Sequence, residues 1–106
     1  MQQAKTVSIE GHPWSTYNGL YTHDSTHEGW PVLKNAEGMY CYRYAPKDSW
    51  FLWKEFTPDK PANGANIVAK EGPLPVGAHT WQVPPSAVGK PRGGEWEDCT
   101  LTVMLQ

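Results

Sequence analysis

Long apolar runs and concentrations of basic charge are both missing from this chain of 106 residues. No stretch approaches the ~18 consecutive apolar residues of a membrane-spanning helix, and the first ten residues, MQQAKTVSIE, lack the apolar core of a signal peptide. The 9 basic residues are scattered and the net charge is −2, so no basic stripe is available to neutralise a row of phosphates. These absences predict no nucleic-acid partner and no membrane partner, with the cytoplasm as the default location.

Cysteine is scarce as well, since only Cys41 and Cys99 are present. They stand far apart in the sequence and match neither a zinc-binding spacing nor a CxxC redox motif. One disulfide would be compatible with a secreted chain. Because no export signal is present, we expect two buried, reduced thiols instead.

Signatures of catalysis are also absent. The sequence contains no P-loop, no GxGxxG and no GxSxG, which removes the usual nucleotide-binding and hydrolase interpretations. A triad of Ser49, His79 and Asp98 has no supporting motif, and the carboxylates of Glu95 and Glu97 are more simply the solvent side of a strand end. We therefore predict no catalytic residue and no cofactor. Whether the chain is an enzyme stays open, with a non-catalytic role favoured.

Glycine and proline, by contrast, are abundant at 10 residues each, and they interrupt the chain too often for helices of useful length. The segments between them are rich in β-branched and aromatic residues, which favour strands. The predicted fold is all-β: a single antiparallel domain over residues 1–106, with little or no helix, whose meander forms a small barrel or a two-layer sandwich. Strands are expected near residues 5–9, 18–22, 31–35, 39–44, 50–56, 65–70, 79–83 and 96–105.

The middle of the chain shows the clearest strand pattern. Residues 39–44 alternate so that Tyr40, Tyr42 and Tyr44 share one face of a strand. The turn residues 35–38 and 45–49 flank this segment. Residues 31–56 are therefore predicted to form a three-stranded meander.

Two segments are expected to be loops because they combine proline, glycine and polar residues. These are residues 57–64 and residues 84–94. The second segment is long for a small domain, which makes it either mobile or functional.

The densest polar cluster is His23-Asp24-Ser25-Thr26-His27-Glu28. Histidine and carboxylate side chains are metal ligands, and a His-x3-His pair on a helix would share one ion. This cluster stands between two predicted strands, so we expect a solvated hairpin loop and no metal site. A small metal-dependent enzyme using this loop is kept as an alternative function.

An ordered pattern of short motifs runs through the first half of the chain. It reads Asn-Gly-x-Tyr, Gly-x-Pro, Asn-x-x-Gly, a tyrosine-rich strand and Trp-x-Leu, here Asn18-Gly19-Leu20-Tyr21, Gly29-Trp30-Pro31, Asn35-Ala36-Glu37-Gly38, Met39 to Tyr44, and Trp50-Phe51-Leu52. It resembles a small tryptophan-rich module found in modular proteins of algae, other protists and some bacteria. The resemblance covers residues 18–56, with Trp81 and Trp96 as its continuation, and it departs at Leu33, where a tyrosine is expected. No catalytic residues and no function are known for such modules, so the resemblance implies no activity.

Aromatic residues are the main anomaly, with 6 tryptophans and 5 tyrosines in one small domain. A core of this size cannot enclose them all, and exposed rings on a rigid sheet stack against sugars or partner side chains. The strand near residues 50–56 is expected to direct Trp50, Leu52 and Phe56 inward and Phe51 and Trp53 outward. The hairpin register, and hence the position of the tyrosine row beside this strand, is left open. The predicted ligand-binding residues are Trp53, Tyr42, Tyr44, Trp30 and Trp14.

These residues favour a non-catalytic recognition module that binds a glycan or a protein segment through an exposed aromatic face. The sequence does not separate the two ligands. A structural protein that forms a homo-oligomer is a further alternative.

Overall fold

The computed structural model describes residues 6–70, 72–91 and 93–106, and its fold is all-β. Its eight strands are antiparallel and follow one another around a closed barrel in sequence order. Their bounds are β1 Thr6–Glu10, β2 Gly19–His27, β3 Trp30–Asn35, β4 Tyr40–Tyr44, β5 Ser49–Trp53, β6 Ala65–Val68, β7 Gly77–Val83 and β8 Glu97–Leu105. Short 3-10 turns at Ser15–Tyr17, Ala45–Lys47 and Pro85–Val88 interrupt the connections. The predicted all-β antiparallel fold and the meander of residues 31–56 are confirmed.

Closure of the barrel depends on a pairing between the two ends of the described chain. Val7 of β1 faces Leu105 of β8, and Ile9 faces Val103. Closing a sheet in this way leaves neither end strand with an unpaired edge. No helix among the described residues is long and apolar enough to cross a membrane.

The barrel interior is filled by side chains, as expected for eight strands. Alternation along β5 sends Trp50 and Leu52 inward and Phe51 outward, as the sequence predicts. Cys41 is fully buried in this interior, Cys99 lies partly buried against it, and both thiols are free. The buried members of the interior core are Val7, Ile9, Tyr17, Tyr21, Leu33, Cys41, Trp50, Leu52, Ala65, Trp81, Val83, Ala87, Leu101 and Val103.

A second, smaller core lies on the outside of β3, β4 and β5, and we call it the outer cluster. Its buried residues are Val32, Tyr42, Tyr44 and Phe51. The β5–β6 connection, residues 54–64, supplies Phe56, whose ring packs edge-on against Tyr42 at 5.1 Å between centroids. The placement of Phe56 on the inner face of β5 is therefore wrong: the strand ends at Trp53, and the chain turns back over the outside of the sheet.

Strand β2 also differs from its prediction, because it continues through the polar cluster to His27. The expected hairpin loop at residues 23–28 is wrong, and the hairpin turn is only Glu28-Gly29, both with positive φ, at 53° and 86°. A β-bulge between His23 and Ser25 is where the pairing with β3 shifts. The second half of β2 is made of threonine, histidine, aspartate and serine, which is also the composition of a polar loop. The sequence therefore places the end of this strand too early.

The long segment 84–94 contains the 3-10 turn Pro85–Val88, and Arg92 lies outside the described residues. Ala87 of this turn packs into the interior core. In an up-and-down barrel the connections alternate between the two ends. The β1–β2 connection, residues 11–18, therefore lies at the same end as residues 54–64 and 84–94, and the Glu28-Gly29 turn lies at the opposite end.

Candidate functional site

A cavity of about 360 Å³ lies on the outside of β2 and β3. We call it the β2–β3 cleft. It has the size of a small-molecule site, which usually occupies about 300–1,000 Å³. Its lining residues are Leu20, Thr22, His23, Asp24, Lys34, Asn35 and Ala36.

Two local irregularities shape the cleft. The bulge in β2 inserts Asp24 without a partner on β3, because His23 faces Leu33 and Ser25 faces Val32. At the other end, the Asn35 side chain folds the β3–β4 turn by accepting the backbone amides of Glu37 and Met39. The same Asn35 side chain donates to the carbonyl of Thr16 at 2.9 Å. The cleft is therefore bounded by a bulge and by a turn that is tied to the β1–β2 connection.

Both signs of charge meet in the cleft. The Lys34 ammonium lies 5.1 Å from the centroid of the Tyr40 ring, and Asp24 brings an exposed carboxylate. A ring nitrogen of His23 lies 3.3 Å from the Thr26 hydroxyl oxygen. The cleft thus offers hydrogen-bond donors and acceptors beside the apolar side chain of Leu20.

The register of the sheet extends this surface toward the aromatic residues. Lys34 pairs with Tyr40, and Tyr40 pairs with Trp53. Both aromatic residues are partly exposed, and the Lys54 ammonium lies 5.4 Å from the Trp53 ring centroid. An aromatic pair flanked by two lysines therefore continues the row that begins in the cleft.

The five predicted binding residues do not form one surface. Trp53 is partly exposed beside Tyr40, whereas Tyr42 and Tyr44 are buried in the outer cluster and present no open ring face. Trp14 and Trp30 lie at opposite ends of the barrel and pack against the interior core. The structure brings only Trp53 close to the cleft.

Trp30 belongs to a buried arrangement around Arg43. The Arg43 guanidinium carbon lies 5.2 Å from the Trp30 ring centroid, and its Nη1 donates to the carbonyls of Ala69 and Gly72 at 3.0 Å each. Asp48 supplies a carboxylate at 3.4 Å. These contacts lie at the end of the barrel that carries the Glu28-Gly29 turn, and they give Trp30 a packing role.

Trp14 belongs to a second buried arrangement, centred on His12. The backbone amide of Trp14 donates to Nδ1 of His12 at 2.9 Å, and Nε2 of His12 donates to the carbonyl of Gly64 at 2.7 Å. Because Nδ1 accepts, Nε2 carries the single proton of a neutral ring. Burial lowers the pKa of His12 below 6.5, its ordinary value, and the hydrogen bond to Gly64 opposes only part of that effect.

No group of three or more potential ligands capable of holding a metal ion occurs within the described ranges. The two histidines of the polar cluster have different neighbours: His23 contacts Thr26, and His27 packs edge-on against Phe56 with 5.4 Å between centroids. The bulge separates them along β2, so they do not converge on a shared point.

Sequence reasoning missed several residues of the candidate site. Leu20, Thr22 and Lys34 look like ordinary solvent-facing residues until the bulge and the β2–β3 register place them around one cavity. Asp24 stands out in the sequence only as a possible metal ligand in the polar cluster. Trp96 is not among the predicted binding residues, yet it is 40% exposed and directly precedes β8. An accessible signal was the position of this tryptophan between two glutamates, shortly after Gly93-Gly94.

The chain matches no family model, no curated protein and no solved structure. The function is therefore argued from the geometry of the chain itself.

Proposed function

We propose that this protein is a non-catalytic binding module whose β2–β3 cleft, extended by Tyr40 and Trp53, takes a short stretch of carbohydrate. The observation that supports this most is the cavity itself, about 360 Å³ in volume and lined by polar groups of both hydrogen-bonding kinds. A sugar presents hydroxyl groups that both donate and accept. It also presents an apolar face that suits a leucine or an aromatic ring.

The chemistry of the cleft favours a saccharide over a protein segment. Asp24 accepts hydrogen bonds, Lys34 donates them, and Thr22 does both. An extended peptide would need an unpaired strand edge, and the closed barrel offers none beside the cleft. A peptide that binds through large apolar anchors would find only Leu20 there.

Glycan-array screening followed by calorimetry with the best saccharide tests the proposal. Lys34→Gln and Asp24→Asn should each weaken binding about tenfold, which corresponds to the loss of one charged hydrogen bond. Lys70→Gln changes an exposed lysine outside the cleft and is the matched control. Equal affinity in Lys34→Gln and Lys70→Gln, or no saccharide bound at all, would refute the proposal.

A second candidate function is self-association, and it has its own supporting surface. Ser8 of β1 pairs with Leu20 on one side and with Met104 on the other. Val76 directly precedes β7, whose first residue, Gly77, pairs with Val103 beside Met104. Leu20, Met104 and Val76 are 55%, 52% and 50% exposed. Neighbouring apolar side chains with this exposure are typical of contact surfaces.

Light scattering coupled to size exclusion tests this candidate. A dimer of the native chain should revert to a monomer in Met104→Lys and persist in Thr80→Lys, which changes an exposed residue of β7 away from the patch. A native monomer at high concentration would exclude it. Leu20 borders both the cleft and the apolar patch, whereas Lys34 lines only the cleft. The Lys34→Gln variant should therefore leave the dimer intact.

A further inference from the structure

His12 ties together two connections at one end of the barrel. Its own connection, residues 11–18, is held through the amide of Trp14 and through a reciprocal pair with Asn18, whose side chain accepts from His12 N at 2.9 Å and donates to His12 O at 3.0 Å. The β5–β6 connection is held through the carbonyl of Gly64. One imidazole ring therefore spans two segments that are far apart in the sequence.

The surroundings of the ring suit only its neutral form. The ring is buried, and its nearest titratable neighbour is Tyr17, at 4.5 Å between centroids; burial raises the pKa of Tyr17 to about 12. From the β5–β6 connection the Gly64 carbonyl is hydrogen-bonded to the ring, and no carboxylate or ammonium among the described residues forms an ion pair with it. A second proton on Nδ1 would point at the amide hydrogen of Trp14, so one hydrogen bond would be lost and an uncompensated charge buried.

Both connections held by His12 reach the proposed binding surface. The β1–β2 connection touches the cleft because the carbonyl of Thr16 accepts from the side chain of Asn35. The β5–β6 connection begins directly after Trp53, carries Lys54 beside its ring, and carries Phe56 against Tyr40 at 6.2 Å between centroids. The amide of Gly64 donates to the carbonyl of Leu52 in β5 itself.

We propose that protonation of His12 releases both connections from the end of the barrel and thereby weakens ligand binding at the β2–β3 cleft. The release of the connections stands on the contacts of His12 alone. Its effect on binding rests on the proposed function.

The sign of the pH dependence follows from the lowered pKa of His12 in the closed barrel. The opened form, with a solvated ring, binds a proton near pH 6.5, whereas the closed form does so only at lower pH. The closed form is therefore fully favoured above about pH 6.5 and loses stability as the pH falls toward the pKa of the buried ring. Because the two forms differ by one bound proton, the opening constant rises by up to tenfold per pH unit across that window.

Hydrogen exchange followed by mass spectrometry, corrected for the intrinsic effect of pH, tests the release without any ligand. Peptides covering residues 11–18 and 54–64 should lose protection as the pH falls below about 6.5, by up to tenfold per pH unit, while peptides from β8 stay protected. His12→Gln should abolish this dependence, because glutamine still donates to Gly64 and does not titrate. The exposed His79→Gln serves as the control.

If His12→Gln does not fold, nitrogen NMR of the native imidazole rings serves instead. A His12 ring that titrates near pH 6.5, or unchanged protection, would overturn the proposal.

Affinity for the best array saccharide, measured at pH 7 and pH 5, tests the effect on binding. It should fall in the native chain and in His79→Gln but hold constant in His12→Gln. Acid-induced loss of protection with unchanged affinity would overturn the regulatory part. Absence of saccharide binding at both values of pH would refute the proposed function, while the exchange data would still decide the role of His12.

Discussion

At the scale of single residues, the tryptophans divide by the fate of their indole N–H. Nε1 of Trp50 donates to the carbonyl of Gly72 at 2.6 Å, whereas Nε1 of Trp81 is the one buried side-chain polar atom within the described ranges that has no partner. Both side chains are fully buried in the interior core. They therefore form a natural pair in which volume is matched and hydrogen bonding differs.

Replacing each of these two tryptophans by phenylalanine isolates that difference. Both variants lose similar volume, but only Trp50→Phe also removes a hydrogen bond, which is worth about 1 kcal/mol. We expect Trp50→Phe to lower the free energy of unfolding by about 1 kcal/mol more than Trp81→Phe does. Urea melts monitored by circular dichroism measure this, and equal losses would mean that the bond to Gly72 contributes nothing.

Trp50 and Trp53 form a second pair, on opposite faces of β5. Trp50→Ala empties part of the interior core and should cost about 3–5 kcal/mol. Trp53 is partly exposed on the outside, so Trp53→Ala should cost less than about 2 kcal/mol and should weaken saccharide binding. Denaturant melts of both variants check the ranking. If the two costs are equal, Trp53 is a core residue and the extended surface loses its aromatic part.

The sequence predicts the faces of β5 correctly because alternation is a local property. It does not predict which tyrosines stay open, since that depends on where the β5–β6 connection goes. Phe56 leaves the strand and covers Tyr42, so the tyrosine in the middle of the row is the most buried. Only Tyr40, at the start of β4, keeps part of its ring accessible.

At the scale of elements, the hairpin of β2 and β3 combines a favourable and an unfavourable turn residue. Gly29 adopts φ of 86° without strain, but Glu28 adopts φ of 53°, a region where a residue with a Cβ atom is disfavoured. Gly29 belongs to the Gly-x-Pro pattern noted in the sequence, whereas Glu28 carries no turn signal. The bulge between His23 and Ser25 likewise has no signal in the sequence, because any polar residue can occupy it.

Glu28→Asn should stabilise the protein, because asparagine tolerates positive φ and Asn-Gly favours this type of two-residue turn. We expect a gain of about 0.5–1 kcal/mol in the free energy of unfolding. The exposed contact between Glu28 and His27, at 3.6 Å, is worth little and should not offset the gain. Thermal melts of Glu28→Asn are compared with those of Glu37→Asn, which replaces a turn residue whose own φ is not positive and should change nothing. A lower melting temperature for Glu28→Asn would contradict the strain at this position.

At the scale of the whole molecule, the choice between barrel and sandwich rests on the pairing of β1 with β8. Local pattern predicts each of these strands. The alternation of Cys99, Leu101, Val103 and Leu105 predicts one apolar face of β8, and Leu101 and Val103 are buried in the core as this pattern implies, whereas Leu105 at the end of the strand is exposed. The pairing joins residues almost a full chain length apart, and no local signal specifies it. The cleft cannot be predicted for the same reason, because it depends on the register between β2 and β3 and on the position of the β3–β4 turn.

Removing β8 should therefore abolish the fold and not merely shorten it. A chain ending at residue 96 loses Leu101 and Val103 from the interior core and exposes the edges of β1 and β7. We expect no cooperative unfolding transition and a tendency to aggregate. A synthetic peptide of residues 97–106 should restore the near-ultraviolet circular dichroism of the intact chain. A truncated chain that melts cooperatively on its own would contradict the dependence on closure.

The hydrogen bond from the amide of Gln106 to the carbonyl of Thr6, at 3.0 Å, has a consequence for how the chain can be rewired. Thr6 and Gln106 lie side by side, so a circular permutant built from residues 6–106 needs only a short glycine-serine bridge between these two residues. New ends placed within the Glu28-Gly29 turn would cut no strand, and such a permutant should keep the circular dichroism spectrum of the parent. For the same reason the barrel can be inserted into a loop of a host protein without forcing that loop apart.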